Sequence, residues 1–250
     1  MKSADVSHKS GPCETLNFYL LRTTVYMTWV KICGMTNLED ALVAVEAGAD
    51  AVGFVFCEKS PRNISARTVR EIVKKLPEGL EKVGVFVDSN VDEVRYVVLE
   101  AGLSAVQLHG GPSGESFYLD QRPTLDCVGV SKAIGMAPAA ALQDSGIKIE
   151  KWIKEKLFAV LIDSHANGAT GGTGTRFDWH NTRGMVQALS LMVPVIVAGG
   201  LTATNVGEAI EVLKPWGVDV ASGVEGSPGK KDPEKVRAFV QAVRDAERSL

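Results

Sequence analysis

Glu46-Ala47-Gly48-Ala49-Asp50-Ala51-Val52-Gly53-Phe54 and Glu100-Ala101-Gly102-Leu103-Ser104-Ala105-Val106-Gln107-Leu108 carry one pattern twice: the end of an amphipathic helix, a glycine, then a strand. Glycine accepts the left-handed backbone that terminates a helix, and the β-branched and aromatic residues after it suit a buried, pleated surface. A looser third copy is Val212-Leu213-Lys214-Pro215-Trp216-Gly217-Val218-Asp219-Val220. A recurring helix-to-strand turn is the signature of βα units and a parallel sheet.

Working outward with that unit, strands are expected near 29–33, 51–56, 82–87, 104–109, 127–133, 158–163, 194–198 and 218–222. Helical periods fall between them at 37–47 with Asn37 as cap, 65–76, 91–101, 115–121, 147–156, 182–191, 204–213 and 232–247 after Asp232-Pro233. The strands are apolar rather than alternating, as strands buried on both faces are. Eight such units predict an α/β protein, a single-domain (β/α)8 TIM barrel over 28–250, in preference to an open doubly wound sheet.

The 250 residues are 45% hydrophobic and 23% charged, which is enough apolar side chain for one substantial core. A net charge of -3 with scattered Lys and Arg argues against nucleic acid and anionic membrane surfaces as partners, so an anion must be gripped locally. Cys13, Cys33, Cys57 and Cys127 form no CxxC pair, which suggests a reducing, cytoplasmic setting. No apolar run approaches the ~20 residues that span a bilayer. Residues 1–27 share no period with the rest of the chain and are expected to be a disordered extension or a start-site artefact, because Met27-Thr28-Trp29-Val30-Lys31-Ile32-Cys33 is a natural opening for a first strand.

In a parallel barrel every strand ends at one rim, where the chemistry of such folds is built. Cys33 closes the first strand and Asp163 closes Phe158-Ala159-Val160-Leu161-Ile162-Asp163, so a thiol and a carboxyl are expected at the same mouth. They are candidates for the base and acid of a proton-transfer reaction, against the blander readings of an inert buried thiol and a loop cap. A thiolate base requires the rim to lower the thiol below its ordinary ~8.5 against any nearby phosphate charge, and either helix N-termini or Lys31, if its side chain turns that way, would serve that end. Ser60-Pro61-Arg62 follows the second strand, so Arg62 is either a carboxylate-binding guanidinium or a solvated loop arginine. Gln107 and His109 flank the end of the fourth strand, where His109 either orients substrate or is a satisfied polar residue.

Three glycine-rich turns each follow a strand: Gly171-Gly172-Thr173-Gly174, Ala198-Gly199-Gly200 and Ala221-Ser222-Gly223. Glycines let backbone N–H groups approach an oxyanion closely, and barrels hold phosphate beside the last two strands, so a phosphate site is expected from Gly172, Thr173, Gly174, Gly199, Gly200, Ser222 and Gly223. No metal site is expected. Asp163, His165 and His180 could supply ligands, but the ends of strands one and two carry Cys33 and Cys57 where a further histidine or carboxylate would be needed.

Several motifs together resemble the phosphoribosylanthranilate isomerase family of tryptophan biosynthesis. They are Val30-Lys31-Ile32-Cys33-Gly34-Met35-Thr36, Gly53-Phe54-Val55-Phe56 with Ser60-Pro61-Arg62, Val83-Gly84-Val85-Phe86-Val87, Val106-Gln107-Leu108-His109-Gly110, Gly171-Gly172-Thr173-Gly174 with Phe177-Asp178-Trp179, Ala198-Gly199-Gly200-Leu201, and Ser222-Gly223-Val224-Glu225 with Ser227-Pro228-Gly229-Lys230-Lys231-Asp232-Pro233. The resemblance implies a cofactor-free Amadori rearrangement of a small phosphorylated substrate by a monomer or homodimer. It also implies Cys33 as general base, Asp163 as general acid and Arg62 at the anthranilate carboxylate. The chain departs from the family pattern at Thr175-Arg176, where a lysine is common after the third glycine, at Asn63, where an aromatic is common, and in residues 1–26. Two competing readings are a bifunctional isomerase that also takes the related histidine-pathway intermediate, which would have an aspartate in place of Cys33, and a catalytically silent barrel that binds a phosphorylated metabolite.

Overall fold

The computed structural model describes residues 27–109, 129–135, 158–163 and 178–249. Eight parallel strands close on themselves in chain order: β1 Trp29–Cys33, β2 Ala51–Phe56, β3 Glu81–Val87, β4 Ala105–His109, β5 Gly129–Gly135, β6 Ala159–Asp163, β7 Val195–Val197 and β8 Gly217–Val220. The circle is completed where β8 pairs with β1, setting Lys31 beside Asp219 and Ile32 beside Val220. The helices described are α1 Leu38–Ala47, α2 Ala66–Val73, α3 Val91–Ala101, α4 Trp179–Ser190, α5 Val206–Leu213 and α6 Pro233–Glu247. None is long and apolar enough to cross a membrane.

The repeated turn behaves as its glycine predicts. Gly48 and Gly102 cap α1 and α3 with φ of 89° and 70°, and their N–H groups return to carbonyls of the last helical turn. Asn37 and Asn90 open the same two helices by accepting from the N–H groups of Asp40 and Glu93. Asp232 caps α6 ahead of Pro233, whose fixed φ suits the first helical position.

The pleat sorts the strand residues into two populations. Val30, Ile32, Val52, Phe54, Phe86, Val106, Leu108, Val160, Ile162, Val195, Val197, Val218 and Val220 face outward and join one cluster with Ala41, Val69, Val94, Ile210 and Phe239 from the helices. Burying such a side chain contributes about 1.5–3 kcal/mol each, so this shell between strands and helices supplies most of the hydrophobic stabilisation. Inside the barrel, Trp29, Ala51, Val83, Ala105, Ala159, Leu161, Ile196 and Ala198 fill the lower half. Above them stand Lys31, Gln107 and Asp219, and then Cys33 with Val55 and Val85. The core is therefore apolar at the bottom and polar toward the mouth.

Several boundaries differ from expectation for local reasons. The fifth strand runs Gly129–Gly135, two residues later than expected. The eighth ends at Val220, and Ser222, expected within it, instead opens a 3-10 turn over Ser222–Val224. Helix α4 begins at Trp179 rather than 182, because the Asp178 side chain accepts from the Asn181 N–H and caps three residues earlier. Helix α2 stops at Val73, short of the expected 76. A small hairpin, β9 Glu225–Ser227 with β10 Lys230–Lys231, was not anticipated. The expected helices at 115–121 and 147–156 lie outside the described residues, as does the N-terminal extension up to Tyr26.

Candidate active site

Cys33 is the last residue of β1 and points into the barrel. It is buried with Val55 and Val85 and flanked by Cys57 and Ala221. The strand alternation that puts Trp29 inside puts Lys31 and Cys33 inside as well. Space for them comes from Gly53, the residue opposite Cys33 on β2. A Cβ at Gly53 would lie 2.7 Å from the Cys33 sulfur and 3.0 Å from Lys31 Cε.

Below the thiol lies a buried polar chain. Lys31 Nζ sits 2.9 Å from Asp219 Oδ1 and donates to Gln107 Oε1 at 2.8 Å. Because Gln107 accepts through its oxygen, its amide nitrogen faces His109, whose Nε2 lies 2.6 Å away. The ammonium thus orients the amide, and the amide in turn orients the imidazole. Burial by itself would depress Lys31, but the charges of Asp219 and Cys33 more than offset it and hold the lysine above its ordinary value.

The thiol behaves differently from the sequence expectation of a lowered value. Burial pushes Cys33 up, and this outweighs the opposing charges of Lys31 and Lys231. A sulfur enclosed by valines loses the water that would stabilise its anion. Asp163 ends β6 on the inward face that Ala159 and Leu161 occupy. Its charge reaches Asp219, whose carboxyl is raised by burial against the pull of Lys31, with Asp163 adding to the rise. Asp219 acts on Cys33 in the same way. Asp219 thus stands between the two: Asp163 acts on it, and it acts on Cys33.

Arg62 is neither a free guanidinium nor a solvated loop arginine. It is 7% exposed, and its Nε and Nη2 donate to the two carboxylate oxygens of Glu225 at 2.8 and 2.7 Å. Lys231 Nζ reaches the same carboxylate at 3.0 Å and also donates to the Ala221 carbonyl. The Arg62 stem lies on Gly34, where a Cβ would come within 2.5 Å of Arg62 Cδ and where φ is +83°. The Cys33 charge acts on Arg62, which places the guanidinium within electrostatic reach of the thiol.

The turns after β7 and β8 pack together. Gly199 and Gly200 adopt φ of 85° and 64°, and a Cβ at Gly223 would strike the Leu201 carbonyl oxygen at 1.9 Å. Ser222 and Gly223 begin the 3-10 turn, and Asn205 ties the preceding loop down by donating to the Gly200 carbonyl and accepting from the Thr202 N–H. Gly172, Thr173 and Gly174 lie outside the described residues. Asp219, Glu225 and Lys231 escaped the sequence reading. Asp219 carried one signal, a carboxylate at an inward-facing position of an otherwise apolar strand, while Glu225 and Lys231 stand within a stretch that resembles the family but gives no sign of their pairing with Arg62.

Comparison with known proteins agrees over most of the chain. Residues 30–242 match the family described as N-(5'phosphoribosyl)anthranilate (PRA) isomerase. The N-(5'-phosphoribosyl)anthranilate isomerase of Rubrobacter xylanophilus is 44% identical over 218 residues, covering 87% of this chain and 100% of that protein. The same-named protein of a Geobacter species is 45% identical over 214 residues, covering 86% and 97%. Among solved structures, the phosphoribosyl anthranilate isomerase of Thermotoga maritima superposes with a TM-score of 0.74 at 38% identity, covering 88% of this chain and 100% of that one. A phosphoribosyl anthranilate isomerase in complex with reduced 1-(o-carboxyphenylamino)-1-deoxyribulose 5-phosphate gives 0.71 at 37% identity, with the same coverage. With a family match over more than four-fifths of its length and relatives spanned end to end, this chain belongs to the N-(5'-phosphoribosyl)anthranilate isomerase family.

Proposed function

We propose that the chain converts N-(5'-phosphoribosyl)anthranilate to 1-(2-carboxyphenylamino)-1-deoxyribulose 5-phosphate, with Asp163 as the acid and Cys33 as the base. The observation that carries this assignment is that Cys33 and Asp163 end β1 and β6 on inward-facing positions at the mouth of one barrel. Asp163 gives its proton to the furanose ring oxygen as the C1'–O bond breaks, and the nitrogen lone pair forms an iminium at C1'. The iminium acidifies the C2' proton. The Cys33 thiolate takes that proton, and the C–H electrons become the C1'=C2' bond of an enolamine. Protonation at C1' and loss of the C2' hydroxyl proton leave the ketone, so the atoms rearrange with no net gain or loss.

A thiol raised by burial is a poor anion at rest but a strong base once ionised. The iminium formed beside it favours the thiolate at the moment it is needed. Arg62, with two donors held by Glu225, offers its remaining terminal nitrogen to the anthranilate carboxylate. The N–H groups of Gly199, Gly200, Ser222 and Gly223, joined by those of Gly172, Thr173 and Gly174, hold the phosphate, while Gln107 and His109 line the sugar's side of the mouth. We infer a cytoplasmic enzyme acting as one copy or a pair, a state that sedimentation of the purified protein resolves.

The test is turnover of freshly generated phosphoribosylanthranilate, followed by loss of its fluorescence. Cys33→Ser and Asp163→Asn are each expected to lower kcat by about 10² to 10⁴ with little change in substrate binding. Arg62→Ala should mainly raise KM. Unchanged kcat in either of the first two variants removes that residue from its role, and folded wild-type protein without turnover removes the reaction.

A further inference from the structure

Lys31 is 1% exposed and carries its charge inside a barrel whose lower half is apolar. An ammonium without water is costly unless it is paired and hydrogen-bonded, and Lys31 is both, through Asp219 at 2.9 Å and Gln107 at 2.8 Å. Yet a buried ion pair contributes little more stability than a well-packed apolar pair of the same volume. The rearrangement as written uses neither Lys31 nor Asp219. Their location suggests why they are there. Lys31 lies one pleat below Cys33 on the same inward face, and its Cε and the Cys33 sulfur crowd the same space over Gly53. The charge of each side chain acts on the other.

We propose that Lys31 is a positioning residue for the proton abstraction: its ammonium, clamped by Asp219 and Gln107, holds the negative charge of the Cys33 thiolate from beneath and leaves the mouth side of the sulfur to the substrate. This rests on the reading of Cys33 as the base. Without a cation below it, a sulfur among valines keeps only the weaker pull of Lys231 and the charges at the mouth to hold its anion. The other charges that reach Cys33 are Asp219, which opposes ionisation, Lys231, which favours it, and Arg62 across the mouth. Asp163 acts on Asp219, and His109 is joined to Lys31 through Gln107. Of the groups that favour the thiolate, Lys31 is the strongest, because it is the nearest along the strand and is shielded from water.

The pair Lys31→Met with Asp219→Asn removes both charges at nearly constant volume, so no orphaned ion remains. The thiolate is read by its ultraviolet absorbance against pH, as the difference between each protein and its Cys33→Ser counterpart. In the double variant the midpoint should rise by about one pH unit or more, and the acid limb of kcat/KM should move with it. An unmoved midpoint in a protein that keeps its circular dichroism overturns the proposal. Should the double variant not fold, the unaltered chain still decides the matter. Its Lys31 Nζ resonance must shift as Cys33 ionises, and Cys33→Ser must abolish that inflection, whereas a resonance indifferent to the thiol overturns the inference. Turnover retained by Cys33→Ser would instead remove the base assignment itself, so the two failures are distinguishable.

Discussion

A methyl group at position 53 would test how closely the mouth is fitted to its chemistry. Glycine there leaves room for the Cys33 sulfur and the Lys31 stem, which would stand 2.7 and 3.0 Å from an added Cβ. The strand backbone at Gly53 is extended and its pairing with Cys33 is regular, so alanine meets no conformational barrier, only crowding. Overpacking of this kind costs about 1–3 kcal/mol, and it acts on the sulfur proposed to take the C2' proton. Gly53→Ala is therefore expected to fold with a lowered melting temperature and to lose at least about tenfold in kcat, with KM nearly unchanged. Steady-state kinetics on the folded variant check this, and a wild-type kcat would mean that the thiol's position is not critical.

The hairpin β9–β10 straps one side of the mouth to the other. Its Glu225 holds Arg62 from the β2 loop and its own Lys231, the Lys231 N–H donates to Asp40 on α1, and the Gly229 carbonyl accepts from the Thr36 hydroxyl. One carboxylate thus neutralises two buried cations. Glu225→Gln leaves both cations under-compensated and should lower stability by about 3–5 kcal/mol, measured as the shift in urea unfolding. Burial alone would raise Glu225, but the bonds from Arg62 and the charge of Lys231 outweigh it and hold the carboxyl below its ordinary value. The native state therefore binds this proton less readily than the unfolded chain does. The resulting stability is complete above the usual glutamate range near ~4.3 and is lost as pH falls through the depressed native value. That acid-side loss should be smaller in Glu225→Gln, and an identical pH dependence in the two proteins would contradict the pairing.

Closure of the barrel depends on the last helix returning to the first strand. Arg244 on α6 donates to the Thr28 carbonyl ahead of β1 and to Glu247, and it lies 3.4 Å from Asp50 ahead of β2. Nearby, Trp29 and Trp216 stack with centroids 5.2 Å apart, and Phe158 and Trp216 pack at right angles with centroids 5.7 Å apart, closing the bottom of the barrel. These groups lie at the end opposite the thiol. Arg244→Ala should therefore lower stability by about 1–2 kcal/mol while leaving kcat/KM unchanged. Thermal unfolding and kinetics on one preparation test both halves, and a loss of activity in the folded variant would reveal coupling between the two ends.

Much of this architecture is written locally. The glycines at 48 and 102, the asparagine caps and the apolar runs from Trp29 to Phe56 specify helix ends and strands through short-range sterics and hydrogen bonds, which act between residues already close along the chain. The strand ends likewise placed Cys33 and Asp163 on inward-facing positions, because alternation along a strand is a property of its own backbone. The partners of the charged groups are a different matter. Asp219 meets Lys31 only because β8 comes round to pair with β1, and Glu225 meets Arg62 across 163 positions of sequence only when the hairpin folds over the mouth. The same distinction accounts for the thiol, whose fate depends on how much water the closed barrel expels and which cation it sets underneath. Ionisation responds to everything within several ångströms in space, and that neighbourhood exists only once distant strands have come together.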